Sequence, residues 1–151
     1  MKNNENFLLL TSLTVPQQLQ IKQTLEATFS RKVSDDYFSS PFTAVLADPD
    51  FTAVAIIKAL STYHYLDKFA IHPDLQSQGI GKKLWTMVIQ QYPTLIWRSR
   101  KDNPFNQFYL RSCSGFHHIG IWHIFWQGIT VDDIPHVIEL VSHIPESFYD
   151  K

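Results

Sequence analysis

The chain has 151 residues, of which 44% are hydrophobic and 14% aromatic, and its formal net charge is −1. A chain of this length and apolar content is most simply one domain with a substantial core, so we expect residues 1–151 to form a single domain and not a disordered chain. The near-neutral charge argues against a protein that binds nucleic acid through bulk electrostatics.

Cysteine usage and the N-terminus bear on the compartment. Cys113 is the only cysteine, so an intrachain disulfide is impossible and an oxidising compartment is not indicated. The N-terminal apolar patch, residues 7–10, is too short for a signal sequence or a membrane span. We therefore expect a cytoplasmic protein.

The first third of the chain predicts one helix and a pair of strands. A helix that opens at a proline carries Ile21, Leu25 and Phe29 at a spacing of four residues, which forms one apolar stripe. Residues 42–47 and 51–60 are rich in β-branched and aromatic side chains, and an Asp-Pro-Asp turn separates them. This arrangement predicts an antiparallel hairpin.

The centre of the chain predicts a strand, a glycine-bearing loop and a helix. Residues 63–72 have strand character up to a proline, Gly79 and Gly81 follow a polar turn, and apolar residues then recur at helical spacing to about residue 91. Glycines allow a ligand close to the backbone, and free N–H groups of a first helical turn favour an anion. The spacing fits neither a nucleotide-hydrolase loop nor a dinucleotide fingerprint. We predict a phosphate-binding loop of another kind, and an ordinary strand–turn–helix corner is the alternative.

The last third predicts strand, helix, strand and helix. Residues 94–100 form the first strand, Asn103 is expected to cap a short helix that begins at Pro104, and Gly115 is expected to break that helix. Residues 119–126 predict an aromatic strand, and a final helix begins near residue 132. The order of elements predicts an α/β fold with a mixed sheet.

Cationic side chains are candidates for binding an anionic substrate. Arg98 and Arg100 project from one face of their strand, where two guanidinium groups suit carboxylates, or else they form a solvated strand face. Lys68 lies within a strand, on the opposite face from Asp67, and either reaches the sheet rim or meets an anion. Lys32, with its neighbour Arg31, either closes over a substrate or forms a basic helix end.

Tyr109 is the candidate acid. It shares a helical face with Phe105, Phe108 and Ser112, so it is either a core residue or a phenol positioned to protonate a leaving thiolate. The histidines lack the spacing of a zinc site, and no nucleophile elbow supports Ser-His-Asp catalysis. We expect no metal.

Several segments together resemble a known family. Gln-Ser-Gln-Gly-Ile-Gly at residues 76–81 resembles the Gln/Arg-x-x-Gly-x-Gly/Ala loop of the GNAT acetyltransferases. Tyr-Leu-Asp-Lys-Phe at 65–69, Trp-Arg-Ser-Arg at 97–100 and Asn-Pro-x-Asn-x-x-Tyr at 103–109 are similar to the acetyltransferase domain of the N-acetylglutamate synthase family, of the kind often fused to an amino-acid-kinase domain. The order and spacing of these segments are specific and cover most of the chain.

The resemblance implies a GNAT fold, a mixed central β-sheet flanked by helices, and transfer of acetyl from acetyl-coenzyme A to the α-amine of L-glutamate in arginine biosynthesis. It implies catalytic roles for Tyr109, Asn103 and Tyr65, and substrate binding by Lys32, Lys68, Arg98 and Arg100. It implies coenzyme contacts at Phe69, Ala70, Ile71, Gln76, Gln78, Gly79, Gly81, Lys82 and Asn106.

Three alternatives remain open at the level of sequence. The sequence contains no kinase-like segment, so control by arginine, a homodimer and association with a separate amino-acid-kinase protein all remain open. Gln107-Phe108 and residues 111–114 depart from the family pattern beside the acceptor pocket, which leaves another acceptor amine open. A non-catalytic acyl-coenzyme A sensor or regulatory module is the third alternative, and the retention of Tyr109 and both arginines favours catalysis.

Overall fold

The computed structural model describes residues 7–149, which form nine strands and four α-helices. In chain order these are β1 (Leu8–Leu10), α1 (Val15–Phe29), β2 (Lys32–Val33), β3 (Ala44–Ala47), β4 (Ala53–Leu60), β5 (Tyr63–Ile71), α2 (Ile80–Gln91), β6 (Leu95–Arg100), α3 (Asn106–Ser112), β7 (Gly115–Ile119), β8 (Trp122–Gln127), α4 (Ile134–Ser142) and β9 (Phe148–Tyr149). Within this part of the chain, none of the helices has the length and apolarity that crossing a bilayer requires.

Seven strands form one mixed sheet in the order β1-β3-β4-β5-β6-β8-β7. Every neighbouring pair is antiparallel except β5 and β6, which are parallel and are connected by α2. A second, two-stranded sheet pairs β2 with β9. The predicted mixed sheet with flanking helices is confirmed.

The first helix shows how local sequence specifies an element. Thr14 caps α1: its Oγ1 accepts the N–H of Gln17 at 3.3 Å, and Gln17 Oε1 accepts the N–H of Thr14 at 2.9 Å. Ile21 and Leu25 are fully buried against the sheet. The predicted apolar stripe is therefore the face that packs, because residues four apart lie on one side of a helix.

The core lies on both faces of the sheet. Along β4, Ala55 and Ile57 face the layer that contains α2 and α3, whereas Val54 and Ile56 face the layer that contains α1. A third cluster packs α4 against β6 and β8. Strands buried on both faces are continuous apolar runs, which is the pattern in β3 and in residues 53–57 of β4.

The C-terminal strands differ from the prediction. Residues 119–126 were expected to form one strand, but β7 and β8 form a hairpin that turns at Gly120, where φ is 59°. Gly115 begins β7 and does not act only as a helix breaker. The prediction missed β7 because its side chains are mostly exposed histidines and apolar residues, so the strand shows no alternation between buried and exposed positions.

Asn103 stabilises a turn and not the helix itself. Its Oδ1 accepts the N–H of Phe105 at 2.8 Å, and its carbonyl accepts the N–H of Asn106 at 3.1 Å. The helix α3 begins at Asn106, so the predicted start at Pro104 was wrong by two residues. An Asn-Pro pair supports either a helix cap or an isolated turn, and here the Asn103 side chain closes a turn before α3 begins.

Candidate active site

The two parallel strands diverge, and this divergence opens a cleft. β5 pairs with β6 at Tyr65 with Ile96 and at Leu66 with Trp97, and the pairing extends no further. Beyond this point β5 continues along β4 to Ile71, and β6 continues along β8. The facing edges of both strands are thus free of sheet hydrogen bonds at their carboxyl ends, which is where α/β sheets usually bind ligands.

The cleft at this divergence has a volume of about 600 Å³. Its lining includes the following residues predicted from the sequence: Tyr65, Lys68, Phe69, Ile71, Gln76, Gly81, Arg98, Arg100, Asn103 and Tyr109. A volume of this size lies within the range of small-molecule sites. The structure therefore brings together residues from β5, the glycine loop, β6 and α3 that are up to 44 positions apart in the sequence.

Six predicted residues do not line the cleft. Lys32 is exposed on β2, Ala70 is buried in the layer that contains α1, and Gln78, Gly79 and Lys82 are exposed on the loop and the first turn of α2. Asn106 is buried, and its Nδ2 donates to the carbonyl of Arg100 at 2.9 Å. Asn106 thus ties α3 to the end of β6 from behind the cleft.

A β-bulge sets the direction of the charged side chains on β5. The register with β4 shifts so that Ile56 faces Lys68 while Ile57 faces Leu66, which leaves Asp67 without a partner strand residue. The extra residue breaks the alternation of the strand, and Lys68 Nζ lies 3.2 Å from Asp67 Oδ2. The expectation that Asp67 and Lys68 point to opposite faces was wrong for this reason.

Asp67 and Lys68 form a buried polar network. Lys68 Nζ donates to Ser147 Oγ at 2.5 Å, and Tyr37 Oη donates to Asp67 Oδ2 at 2.5 Å. Burial opposes ionisation of Asp67, but Lys68 and Lys58 outweigh it and hold the pKa of Asp67 below its usual value. Burial lowers the pKa of Lys68, and Asp67 opposes that shift. Each group therefore favours the charged form of the other beside the cleft.

Tyr109 lies in an aromatic layer with only 5% of its surface exposed. The rings of Phe69, Trp85, Trp97, Phe105 and Phe125 surround it with centroids 5.0–6.5 Å away. Burial raises the pKa of its phenol. No described residue hydrogen-bonds the hydroxyl, so a protonated donor is available to a ligand in the cleft.

Tyr65 is a second buried phenol in the same cleft. Burial raises its pKa, and the nearby carboxylate of Asp67 raises it further, while Arg98 acts in the opposite direction. Both tyrosines of the cleft are therefore neutral hydrogen-bonding groups at physiological pH.

The two arginines share a strand face, as predicted. The guanidinium of Arg98 stacks on Trp122 at 3.9 Å from the ring centroid, and it donates to the carbonyls of Val141 at 3.3 Å and Pro145 at 3.2 Å. Arg100 Nη1 lies 3.4 Å from Glu146 Oε2. Within residues 7–149, Arg98 has no carboxylate partner, so its charge is balanced only by carbonyl dipoles and an aromatic face.

The glycine loop is anchored to the end of β5. Gln76 Nε2 donates to the carbonyl of Ile71 at 3.0 Å, and Gly79 adopts the left-handed conformation, with φ of 78°, at the residue before α2. A Cβ added at Gly81 would meet Ile71 Cγ1 at 3.5 Å and Phe105 Cζ at 3.9 Å, which are ordinary contacts. The packing of the protein itself therefore tolerates a methyl group at Gly81.

Most of the chain matches a known protein family. The sequence pattern of NAT, the N-acetyltransferase of N-acetylglutamate synthase, matches residues 8–147. The chain belongs to this family. It is 34% identical to human mitochondrial N-acetylglutamate synthase over 157 residues (98% of this chain and 29% of that protein) and 32% identical to Xylella fastidiosa acetylglutamate kinase over 111 residues (73% and 26%). The chain thus spans less than a third of the length of these two relatives.

Solved structures give the same fold. The chain is similar to the PaiA N-acetyltransferase from Thermoplasma acidophilum in complex with coenzyme A, with a TM-score of 0.59, 13% identity, and coverage of 80% of this chain and 98% of that chain. The predicted GNAT fold is confirmed. Among residues 7–149 of this NAT-family chain, no group of three or more His, Cys, Asp or Glu is placed to hold a metal ion.

Sequence reasoning missed the acidic and C-terminal parts of the site. Asp67, Trp122, Glu146, Ser147 and Phe148 all line the cleft. A charged residue inside an otherwise apolar strand was the available signal for Asp67. The C-terminal residues gave no periodic signal, because they reach the cleft only through the pairing of β9 with β2.

Proposed function

We propose that this NAT-family chain transfers the acetyl group of acetyl-coenzyme A to the α-amine of L-glutamate by direct attack in a ternary complex. The family match over residues 8–147 carries the proposal. Its support from the geometry is that Tyr109, Arg98 and Arg100 line one cleft, which opens where two parallel strands separate.

Acetyl-coenzyme A is proposed to enter between β5 and β6. The edge of β5 beyond its pairing with β6 is proposed to offer backbone groups at Phe69 and the N–H of Ile71 to the amides of the pantetheine arm, much as a strand adds to an open sheet edge. The carbonyl of Ile71 already accepts hydrogen bonds from Thr28 and Gln76. The glycine loop and the first turn of α2 are proposed to hold the pyrophosphate with backbone N–H groups and the positive end of the helix dipole. The residues concerned are Gln76, Gln78, Gly79, Gly81 and Lys82. Asn106 is proposed to support the coenzyme side of the cleft.

In the chemical step the neutral amine nitrogen attacks the thioester carbon, and the carbon–sulfur bond breaks. The nitrogen releases one proton to water, and the sulfur takes one proton, which we assign to the hydroxyl of Tyr109. Water returns a proton to the phenolate. Burial keeps the phenol protonated in the free enzyme, so its O–H is present to hydrogen-bond the sulfur as negative charge develops there.

Glutamate is proposed to bind on the β6 side of the cleft. Its two carboxylates require at least two cations, and the candidates are Arg98, Arg100, Lys68 and Lys32. Tyr65 and Asn103 line the cleft near these groups and are proposed to orient the amine and the thioester. Lys32 is exposed on β2, so its participation requires its side chain to reach the cleft from outside.

A thiol-release assay with a panel of amino acids tests the proposal. We expect coenzyme A release with glutamate and much slower release with glutamine, whose amide leaves a cation unpaired. Release with a different amine would replace glutamate by that acceptor. Tight binding of acetyl-coenzyme A with no release for any amine would favour a sensor or regulatory module.

The organisation of the protein belongs to the same proposal. We propose that residues 1–151 act as one catalytic domain in the cytoplasm, either as a homodimer or with a separate amino-acid-kinase protein. Relatives named acetylglutamate kinase that contain this domain support the second arrangement. Light scattering of the purified chain, alone and mixed with an amino-acid kinase of the same cell, distinguishes the two.

A further inference from the structure

The segment that follows α4, residues 144–148, lies along the cleft and has no helical structure. Glu146, Ser147 and Phe148 line the cleft. The carbonyl of Ser147 accepts the N–H of Ser34 at 2.9 Å, and Phe148 pairs with Val33. The segment is therefore held in place by the chain around β2. It places the carboxylate of Glu146 on the β6 side of the cleft, where the acceptor is proposed to bind.

Glu146 lies between two arginines that come from separate segments of the chain. Its Oε2 is 3.4 Å from Arg100 Nη1 on β6 and 3.6 Å from Arg31 Nη1, which follows α1. The same guanidinium of Arg100 is one of those assigned above to a substrate carboxylate. An internal carboxylate thus occupies a position that an acceptor carboxylate would need.

The geometry of these contacts is that of an exchangeable pair. One oxygen makes both contacts, and both distances exceed the 2.7–2.9 Å typical of strong charge-assisted hydrogen bonds. The Glu146 side chain is 33% exposed, and the side chains of Arg100 and Arg31 are 39% and 19% exposed. Ion pairs with this exposure are weak, so a ligand that binds the guanidinium with two oxygens would replace Glu146.

We propose that Glu146 is a specificity-determining residue that competes with the acceptor's side-chain carboxylate for Arg100 and Arg31. This inference rests on the proposed function. Acceptors with a side-chain carboxylate displace Glu146 and keep the arginines paired, whereas neutral acceptors leave Glu146 in place. Glu146 therefore lowers the affinity for every dicarboxylate that enters the cleft.

Calorimetry with glutarate, a five-carbon dicarboxylate without an amine, tests this inference separately from catalysis. Glutarate is titrated into the full chain with and without coenzyme A. Glu146→Gln keeps the size of the side chain and removes its charge, so glutarate should bind about 2–5-fold more tightly, the scale of a partly exposed ion pair. In kinetics, the KM for glutamate should fall by the same factor while the KM for acetyl-coenzyme A stays constant.

Two matched variants serve as controls. Glu146→Asp keeps the charge and should bind glutarate within about twofold of the parent protein. Glu139→Gln removes the same charge from the exposed face of α4, where Glu139 lies beside His143, and should not change the affinity. If Glu146→Asp behaves like Glu146→Gln, or if Glu139→Gln tightens glutarate binding equally, the proposed competition between Glu146 and the ligand carboxylate is contradicted.

The remaining outcomes also decide the inference. Weaker binding of glutarate or a raised KM for glutamate in Glu146→Gln would overturn it, because Glu146 would then bind the substrate. Unchanged binding, or no binding to either protein, would overturn it as well. If the parent acetylates glutamate but Glu146→Gln leaves glutarate binding unchanged, the inference fails and the proposed function stands. If no amine is acetylated but glutarate binds more tightly to Glu146→Gln, the proposed function fails and the anion competition stands.

Discussion

The two walls of the cleft are built in different ways. The coenzyme wall consists of β5, the glycine loop and the start of α2, which follow one another in the chain. The acceptor wall combines Arg31, the end of β6, Trp122 and residues 146–148, which come from four separate segments. Arg31 Nη2 donates to the carbonyl of Phe148 at 3.3 Å across a sequence separation of 117 residues.

The coenzyme wall presents backbone groups, whereas the acceptor wall presents charged side chains. The coenzyme wall offers N–H groups and a helix dipole, which depend on local conformation and not on side-chain identity. The acceptor wall offers guanidinium and carboxylate groups whose positions depend on ion pairs across the fold. Substitutions should therefore separate the two walls, since the first is proposed to bind acetyl-coenzyme A and the second is proposed to bind the acceptor.

The largest expected effect is on the coenzyme wall. Gly81→Glu should abolish acetyl-coenzyme A binding, because it brings a side chain and a negative charge to a site proposed for phosphates. Gly81→Ala is the matched control: its methyl group fits the protein's own packing, so it should fold normally and weaken binding by about 1 kcal/mol, roughly fivefold. Calorimetry measures both. Parent-like affinity in a folded Gly81→Glu protein would remove the loop from the site.

Tyr109 lies on α3, which belongs to neither wall, and the loss of its hydroxyl group should lower kcat without weakening the binding of acetyl-coenzyme A. Tyr109→Phe should lower kcat by roughly 10²–10⁴-fold, the usual scale for loss of a general acid, with little change in acetyl-coenzyme A affinity because the ring remains. Tyr63→Phe, at a partly exposed tyrosine at the start of the same β5, should leave kcat unchanged. Steady-state kinetics checks both variants. If the Tyr109→Phe enzyme turns over at the parent rate, Tyr109 is a core residue only.

The buried ion pair beneath the acceptor wall should govern stability. Asp67→Asn leaves Lys68 buried without its carboxylate, which should reduce the free energy of unfolding by about 3–5 kcal/mol. Asp35→Asn removes a carboxylate 3.6 Å from Lys22 that is 91% exposed, and this should cost no more than about 1 kcal/mol. Denaturant unfolding measures the free energy of unfolding of both variants. Equal losses in the two variants would contradict the stabilising role of the buried pair.

The pH dependence of this loss has a defined sign. The pKa of Asp67 is lower in the folded protein than in the unfolded chain, so its stabilisation is complete above about pH 4 and disappears as the pH falls through the folded pKa. The stability difference between the parent and Asp67→Asn should therefore be constant near neutral pH and shrink below about pH 4. Unfolding measured from neutral pH into the acid range checks this, and a difference that grows on acidification would contradict it.

The smallest of these effects is expected for one arginine of the acceptor wall. Arg100→Ala should raise the KM for glutamate by roughly 30-fold, the scale for losing one partner of an ion pair that becomes desolvated when the substrate binds, and hardly change the KM for acetyl-coenzyme A. Lys101→Ala, at the exposed neighbour that does not line the cleft, is the control and should leave both constants unchanged. An unaltered KM in Arg100→Ala, or equal kcat/KM for glutamate and glutamine, would exclude glutamate as the preferred acceptor.

Prediction from sequence succeeded where the signal was local. The strand at residues 63–72, the glycine loop and the helix to residue 91 were predicted within one or two residues, because a strand, a proline, two glycines and a helical repeat lie side by side. The start of α3 and the hairpin of β7 and β8 were mistaken, since an Asn-Pro turn and an exposed strand give ambiguous local signals. The roles of the individual site residues stay predictions until the substitutions above are measured.

The sequence by itself determined the unit of β5, glycine loop and α2 and the shared face of Arg98 and Arg100, because glycine conformation, helix start and strand alternation follow from neighbouring residues. Only the tertiary structure decided that a bulge turns Asp67 towards Lys68 and that Glu146 meets Arg31 and Arg100. A bulge depends on the register of two strands, and an ion pair between distant residues depends on the whole fold. Neither interaction leaves a local pattern along the chain.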